Sequence, residues 1–148
     1  MFAAIVAVAG TLAGAVLTGA LAHLNQRAQR KADADASRRV EGLAAVTDLV
    51  SALTDHRRAM WVREDLRLRG EDWTQARAES HATRSAITTP LLRVQLLLPS
   101  LAPAAQAAAR ATYGLRDSDG QPPLAAARLN AIQQTDALVE AAGTALAA

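Results

Sequence analysis

The sequence predicts an all-α protein, with an N-terminal single transmembrane helix continuing into a cytoplasmic antiparallel helical hairpin and small helical bundle. Three observations carry that prediction. No run alternates apolar and polar residues long enough to make a strand. Apolar residues recur instead at three-and-four spacing through two long segments. The chain also opens on an uncharged stretch, Met1 to Gln26, which Arg27, Arg30 and Lys31 follow at once.

The first element is the anchor, residues 1–24. Its apolar part has about 22 to 24 residues, which at roughly 1.5 Å of rise per residue spans a hydrocarbon core of roughly 30 Å once. Within it Gly10 and Gly14 make a small-xxx-small pair, extended by Ala3, Ala7 and Thr18, which permits two helix backbones to meet closely. A cleaved signal peptide is the competing reading, because Ala20-Leu21-Ala22 fits the small-x-small pattern and would leave His23 as the new N-terminus. The lead lacks the cations of a signal n-region, and dense cations follow it, so an uncleaved anchor is expected.

The second element is a basic juxtamembrane helix, residues 25–39. Arg27, Arg30, Lys31, Arg38 and Arg39 outweigh Asp33 and Asp35 by +3 here, while the whole chain carries only +2. The basic balance is therefore local. It points to anionic lipid headgroups rather than to a distributed nucleic-acid footprint, and direct nucleic-acid binding is not expected. Cations beside a span stay inside, so the expected topology is a single pass in the cell membrane with the N-terminus outside and the C-terminus cytoplasmic.

Residues 40–148 are expected to form the cytoplasmic bundle. No Pro interrupts residues 27–69, and the stripe Val40, Leu43, Val46, Val50, Leu53 and Met60, with Arg57 in one slot, gives a helix packed against one main neighbour. Gly70 should end it after a basic last turn. Asp72 can cap the next helix, with Gln75 in the N3 position, and its stripe runs Trp73, Ala76, Ser80, Ile87, Leu91, Val94 and Leu98. Pro90 should kink this helix rather than stop it.

The two long helices should pack antiparallel, with position i facing about 141 minus i if the turn lies at Gly70 and Glu71. A short Ala-rich helix from Ala104 to Leu115, a DSDGQPP loop at 117–123 and a last helix from Leu124 to Leu146 complete the bundle. Leu124, Ala131, Ile132, Thr135, Leu138, Val139, Ala142 and Leu146 should face inward. Alanine burial contributes little at about 25 cal/mol per Å² of apolar area. Close helix approach or a homo-oligomer is then needed for a firm core.

Chemistry is sparse. With no cysteine there is no disulfide scaffold and no thiolate ligand or nucleophile. No phosphate loop, nucleophile elbow or paired metal-binding histidine spacing appears, so neither cofactor nor metal is expected and the chain is not read as an enzyme. The densest polar segment would bring His56, Arg57 and Glu64 against Arg77, His81 and Arg84 across the hairpin. A histidine beside carboxylates there could act as a general base. Surface ion pairs at helical spacing, such as Asp55 with Arg58, are the plainer reading.

The segments AVTDLVSALTDHRRAMWVREDLRLRG, ARAESHATRSAITTPL and LLLPSLAPAAQAAARATYGLRD, behind the Gly-Ala-rich lead and its basic helix, resemble the KilB proteins of Streptomyces and related actinomycetes. Fifteen Arg against one Lys, in an Ala-rich chain, is the usage a GC-rich genome tends to encode. The resemblance covers the whole length. It implies a membrane-associated role in conjugative plasmid transfer or in spread of plasmid through the mycelium, and it carries over no site residues. The expected partners are the lipid bilayer, further copies of the chain and other membrane transfer proteins. The alternative is a small membrane-tethered enzyme or regulated toxin that uses the hairpin's polar cluster.

Overall fold

The computed structural model describes the backbone of residues 2–147 and the side chains of residues 23 and 25–146. Four α-helices and one short 3-10 turn account for the fold, and no strand occurs among the described residues: α1 (Phe2–Arg69), α2 (Thr74–Leu97), the 3-10 turn (Pro99–Leu101), α3 (Ala102–Tyr113) and α4 (Gln121–Ala147). The chain divides into two compact units, Met1–Arg38 and Arg39–Ala148.

In the first unit Arg27, Arg30, Lys31 and Arg38 are exposed, and Arg38 pairs with Asp35 one turn back. Gly10, Gly14 and Thr18, with the rest of the expected span apart from His23, have side chains outside the described residues. Among the described residues no helix is long and apolar enough to cross a membrane. The transmembrane expectation therefore finds no support here.

The second unit is an antiparallel bundle, and local chemistry sets its turns. Gly70 ends α1 with φ at +71°, where the Glu71 amide reaches back to the Leu66 carbonyl at 3.0 Å and the Gly70 amide to Arg67 at 3.1 Å. That pair of bonds is a Schellman stop, whose left-handed residue is most often glycine because it has no Cβ to strain. Asp72 then accepts the Thr74 amide at 2.9 Å and opens α2, a bond that also holds its carboxyl below the usual range.

α2 lies antiparallel to α1. Asp48 meets Arg93 at 2.7 Å, His56 meets Thr83 at 3.0 Å, and a Cβ on Gly42 would touch Leu98 at 3.2 Å, all close to the register expected from a turn at Gly70. α2 runs on through Pro90. The helix after Pro99 begins at Ala102, two residues before the expected start. α4 begins at Gln121 rather than Leu124, because Pro122 and Pro123 sit in its first turn, where a helix makes no use of their missing amide donors.

α4 returns along α1, with Gln121 donating to Asp65 at 2.7 Å and Arg128 lying over the Trp61 ring at 4.7 Å. α1 is therefore flanked by three helices, and its buried face is broader than the sequence stripe and turned away from it. Val46, Leu53 and Met60 are buried as expected, but Val40 and Leu43 are 69% and 58% exposed, and Leu49, His56 and Glu64 take the interior positions. A hydrophobic stripe locates the face toward one neighbour; with three neighbours, polar positions are enclosed as well. Val139, expected inside, is 49% exposed, and Leu43, Val50, Val139 and Leu146 line an open apolar groove of about 310 Å³ between α1 and α4.

The core has two apolar clusters. The larger joins Leu49, Leu53, Ile87, Val94, Leu101 and Leu138 to the small residues Ala105, Ala108, Ala109 and Ala142. The smaller joins Met60, Leu115, Leu124 and Ala131. Alanine on α3 against alanine on α4 is the close helix approach that an under-filled core requires.

Candidate functional site

Buried polar side chains lie along the length of α1 that passes from the larger cluster to the smaller. His56, Arg63, Glu64, Ser80 and Thr112 are at most 8% exposed. On α1, residues 56, 60 and 63 stack on one face, so His56, Met60 and Arg63 look the same way. Opposite them α2 supplies Ser80, His81 and Arg84, and the end of α3 with its following turn supplies Tyr113 and Arg116. These eight residues line a cavity of about 30 Å³.

His56 is the centre of that site. Its Nδ1 lies 3.0 Å from the Thr83 hydroxyl, its ring meets Tyr113 edge to face at 5.7 Å, and its Nε2 is buried with no hydrogen-bond partner among the described residues. Burial first, then the Arg84 and Arg63 cations, pull its pKa from 6.5 to about 4. The imidazole is thus neutral at ordinary pH. Arg84 sits 4.0 Å above the Tyr113 ring, and Arg116 pairs outward with Asp117 at 3.1 Å.

Glu64 is fully enclosed beside this site but is turned to other partners. Its Oε2 accepts from Arg67 Nε at 2.7 Å, while Oε1 stands 3.5 Å from Arg63 Nε without a hydrogen bond. Arg67 also donates to the Ser118 carbonyl, which ties α1 to the loop before α4. Arg63 shares the Trp73 ring with Arg77, at 5.3 and 5.6 Å.

The expected polar cluster is therefore divided. His56, His81 and Arg84 come together, and Met60 faces His81 as the hairpin register predicts. Arg77 lies over Trp73 instead of meeting Glu64. Arg57 does not face Arg84: it points toward α4 and lines a different cavity with Trp61 and Arg128, where burial and Arg128 lower its pKa and Asp136 opposes them. Of the juxtamembrane cations, Arg39 belongs to the bundle unit and is exposed. Arg63, Thr83, Tyr113 and Arg116 were missed. Arg63 could have been found, since it lies seven residues beyond His56 on the same helical face. Tyr113 and Arg116 come from a distant segment that no local spacing flags. No group of three or more His, Asp or Glu residues placed to hold a metal occurs among the described residues.

Fold and site define an all-α bundle with a cation-lined polar pocket enclosed by its helices. The family model of the KilB plasmid transfer protein matches residues 43–146, which is nearly the whole bundle. Protein KilB of Streptomyces lividans is 51% identical over 145 residues, covering 96% of each chain, so the likeness also extends well into the stretch before residue 43. The chain belongs to the KilB family of plasmid transfer proteins. No solved structure matches it.

Proposed function

We propose that this chain is a membrane-anchored assembly protein acting in conjugative plasmid transfer or intramycelial spread. Its membership in a family described by plasmid transfer supports the process. The observation that carries the mechanism is the uncharged lead of residues 1–24 followed by the exposed cations Arg27, Arg30, Lys31 and Arg38. In this reading residues 1–24 cross the cell membrane once, residues 25–39 lie against anionic headgroups, and residues 40–148 are the cytoplasmic bundle. Gly10, Gly14 and Thr18 form the face on which copies meet. The open apolar groove through Leu43, Val50, Val139 and Leu146 supports assembly with a further copy or with another membrane transfer protein.

A reporter fused after Ala148 tests the anchorage. Activity on the cytoplasmic side, from a chain that sediments with membranes, is the expected result. A chain recovered in the soluble fraction that still supports plasmid spread would overturn it. Replacing Arg27, Arg30, Lys31, Arg38 and Arg39 with Gln should scramble the orientation, because these cations are the only strong charge asymmetry around the lead.

One observation favours a second reading, a small tethered enzyme or regulated toxin: among the described residues His56 Nε2 is buried without a hydrogen-bond partner, and His56 lines a cavity with Arg63, Arg84 and Arg116.

A further inference from the structure

The cavity beneath His56 has an excess of positive charge. Arg63, Arg84 and Arg116 line it, and none of its eight lining residues is acidic. Glu64 is shared between Arg67 at 2.7 Å and Arg63 at 3.5 Å, and Asp117 engages Arg116 at 3.1 Å from outside. Arg84 lies 4.0 Å from the Tyr113 ring centroid and, among the described residues, makes no ion pair with a carboxylate. Arg63 is buried and shares one carboxylate with Arg67, while Arg84 and Arg116 are exposed at the cavity's mouth, so the site keeps a net positive charge that an anion would offset.

The hydrogen bonds narrow the anion further. The Thr83 hydroxyl lies 3.0 Å from the Glu79 carbonyl and 3.3 Å from that of Ser80, so its proton is directed at backbone and its oxygen accepts from His56 Nδ1. The imidazole therefore carries its proton on Nδ1, and Nε2 presents a bare lone pair. His56 Nε2 is a buried acceptor with no hydrogen-bond partner among the described residues, whereas Arg63 Nε faces Glu64 Oε1 at 3.5 Å and leaves its terminal nitrogens for the cavity. A matching ligand must accept from guanidinium groups and donate to an imidazole nitrogen. Water does both but brings no charge, and sulfate brings charge but no proton.

We propose that this cavity binds a hydrogen phosphate group, with its oxygens accepting from Arg63, Arg84 and Arg116 and its P–OH donating to His56 Nε2. The enclosed space, about 30 Å³, admits one or two of the oxygens. The rest of the group lies at the mouth, where His81, Arg84 and Arg116 are exposed and long enough to close over it. Below about pH 6, where a phosphomonoester has its second ionisation, inorganic phosphate, a nucleotide's terminal phosphate and a phosphomonoester lipid headgroup share this chemistry. The site is independent of the proposed membrane anchorage, since every residue in it belongs to the bundle.

The test is calorimetric titration of the full-length chain at about pH 5.5, where each phosphomonoester keeps a P–OH and His56 stays neutral, in a phosphate-free maltoside detergent. Inorganic phosphate, ATP and soluble dihexanoyl phosphatidic acid are compared at matched ionic strength with sulfate and with dihexanoyl phosphatidylglycerol, a phosphodiester. The P–OH ligands should bind roughly tenfold or more tightly than the two without it. Arg84→Gln with Arg116→Gln, both at exposed positions, should weaken binding by about tenfold or more, while Arg128→Gln on the far side of α1 should not. Preference for phosphatidic acid over inorganic phosphate and ATP identifies a headgroup as the source, and the reverse identifies a free phosphate. Equal binding of sulfate and phosphate, an unaffected double variant, or no binding of any P–OH ligand would overturn the proposal.

Discussion

Arg93 donates to Asp48 across 2.7 Å, joining α2 to α1 over 45 positions of chain. The contact fixes the register of the hairpin more than its stability, since both side chains are about half exposed and such pairs contribute about 1 kcal/mol or less. Asp48→Cys with Arg93→Cys, in a chain that has no other cysteine, should crosslink through a short bismaleimide within one chain. Only intermolecular products from a folded protein would show that the helices are not neighbours.

Gly42 lies where three helices converge. A Cβ there would meet the Leu98 methyls at 3.2 and 3.3 Å and the Leu146 Cδ2 at 3.4 Å. These are ends of flexible side chains, so Gly42→Ala should be close to neutral, the crowding offset by a gain in helix propensity of about 1 kcal/mol. Gly42→Leu should cost about 1–3 kcal/mol in urea unfolding. Equal stability of the two variants would mean the approach of Leu98 and Leu146 is looser than described.

Glu64 holds two arginines in the interior, so removing its charge should be expensive. Glu64→Ala leaves Arg63 and Arg67 without their carboxylate and should cost about 3–5 kcal/mol. Glu64→Gln, which keeps the shape and one acceptor, should cost less. Denaturant midpoints of the two variants check the order, and Glu64→Ala at wild-type stability would contradict the buried arrangement.

His56 makes the fold acid-sensitive. The unfolded chain takes up its proton near pH 6.5 and the folded chain only near 4, so between those values the unfolded state holds more protons and stability rises with pH. The contribution is present in full above about pH 6.5 and is lost as pH falls toward 4, about 2–3 kcal/mol in all. Urea unfolding at several pH values should show this slope in the wild type and its loss in His56→Gln. Identical slopes in the two would exclude a neutral, enclosed His56.

The hairpin was legible in the sequence because its signals are local and independent of what packs around it: a glycine after a basic turn, an aspartate two residues on, and two apolar stripes. α4 was legible for the same reason, and Leu124, Ala131, Thr135, Leu138 and Ala142 are buried as its spacing predicts. The face of α1 was misjudged at Val40 and Leu43 because periodicity weighs apolar residues only, whereas α3 and α4 turn His56 and Glu64 inward. The site was half legible. His56, His81 and Arg84 follow from the hairpin register alone, but Tyr113 and Arg116 reach the cavity only once α3 is placed.

Assembly at the membrane through the small-residue face is tested most directly by replacing Gly10 and Gly14 with Leu and measuring self-association in the membrane alongside plasmid spread. Bulky side chains hold two backbones apart, so association and spread should fall in parallel while the bundle remains folded. Leu variants that are folded and inserted yet associate and spread plasmid like the wild type would contradict the proposed mechanism.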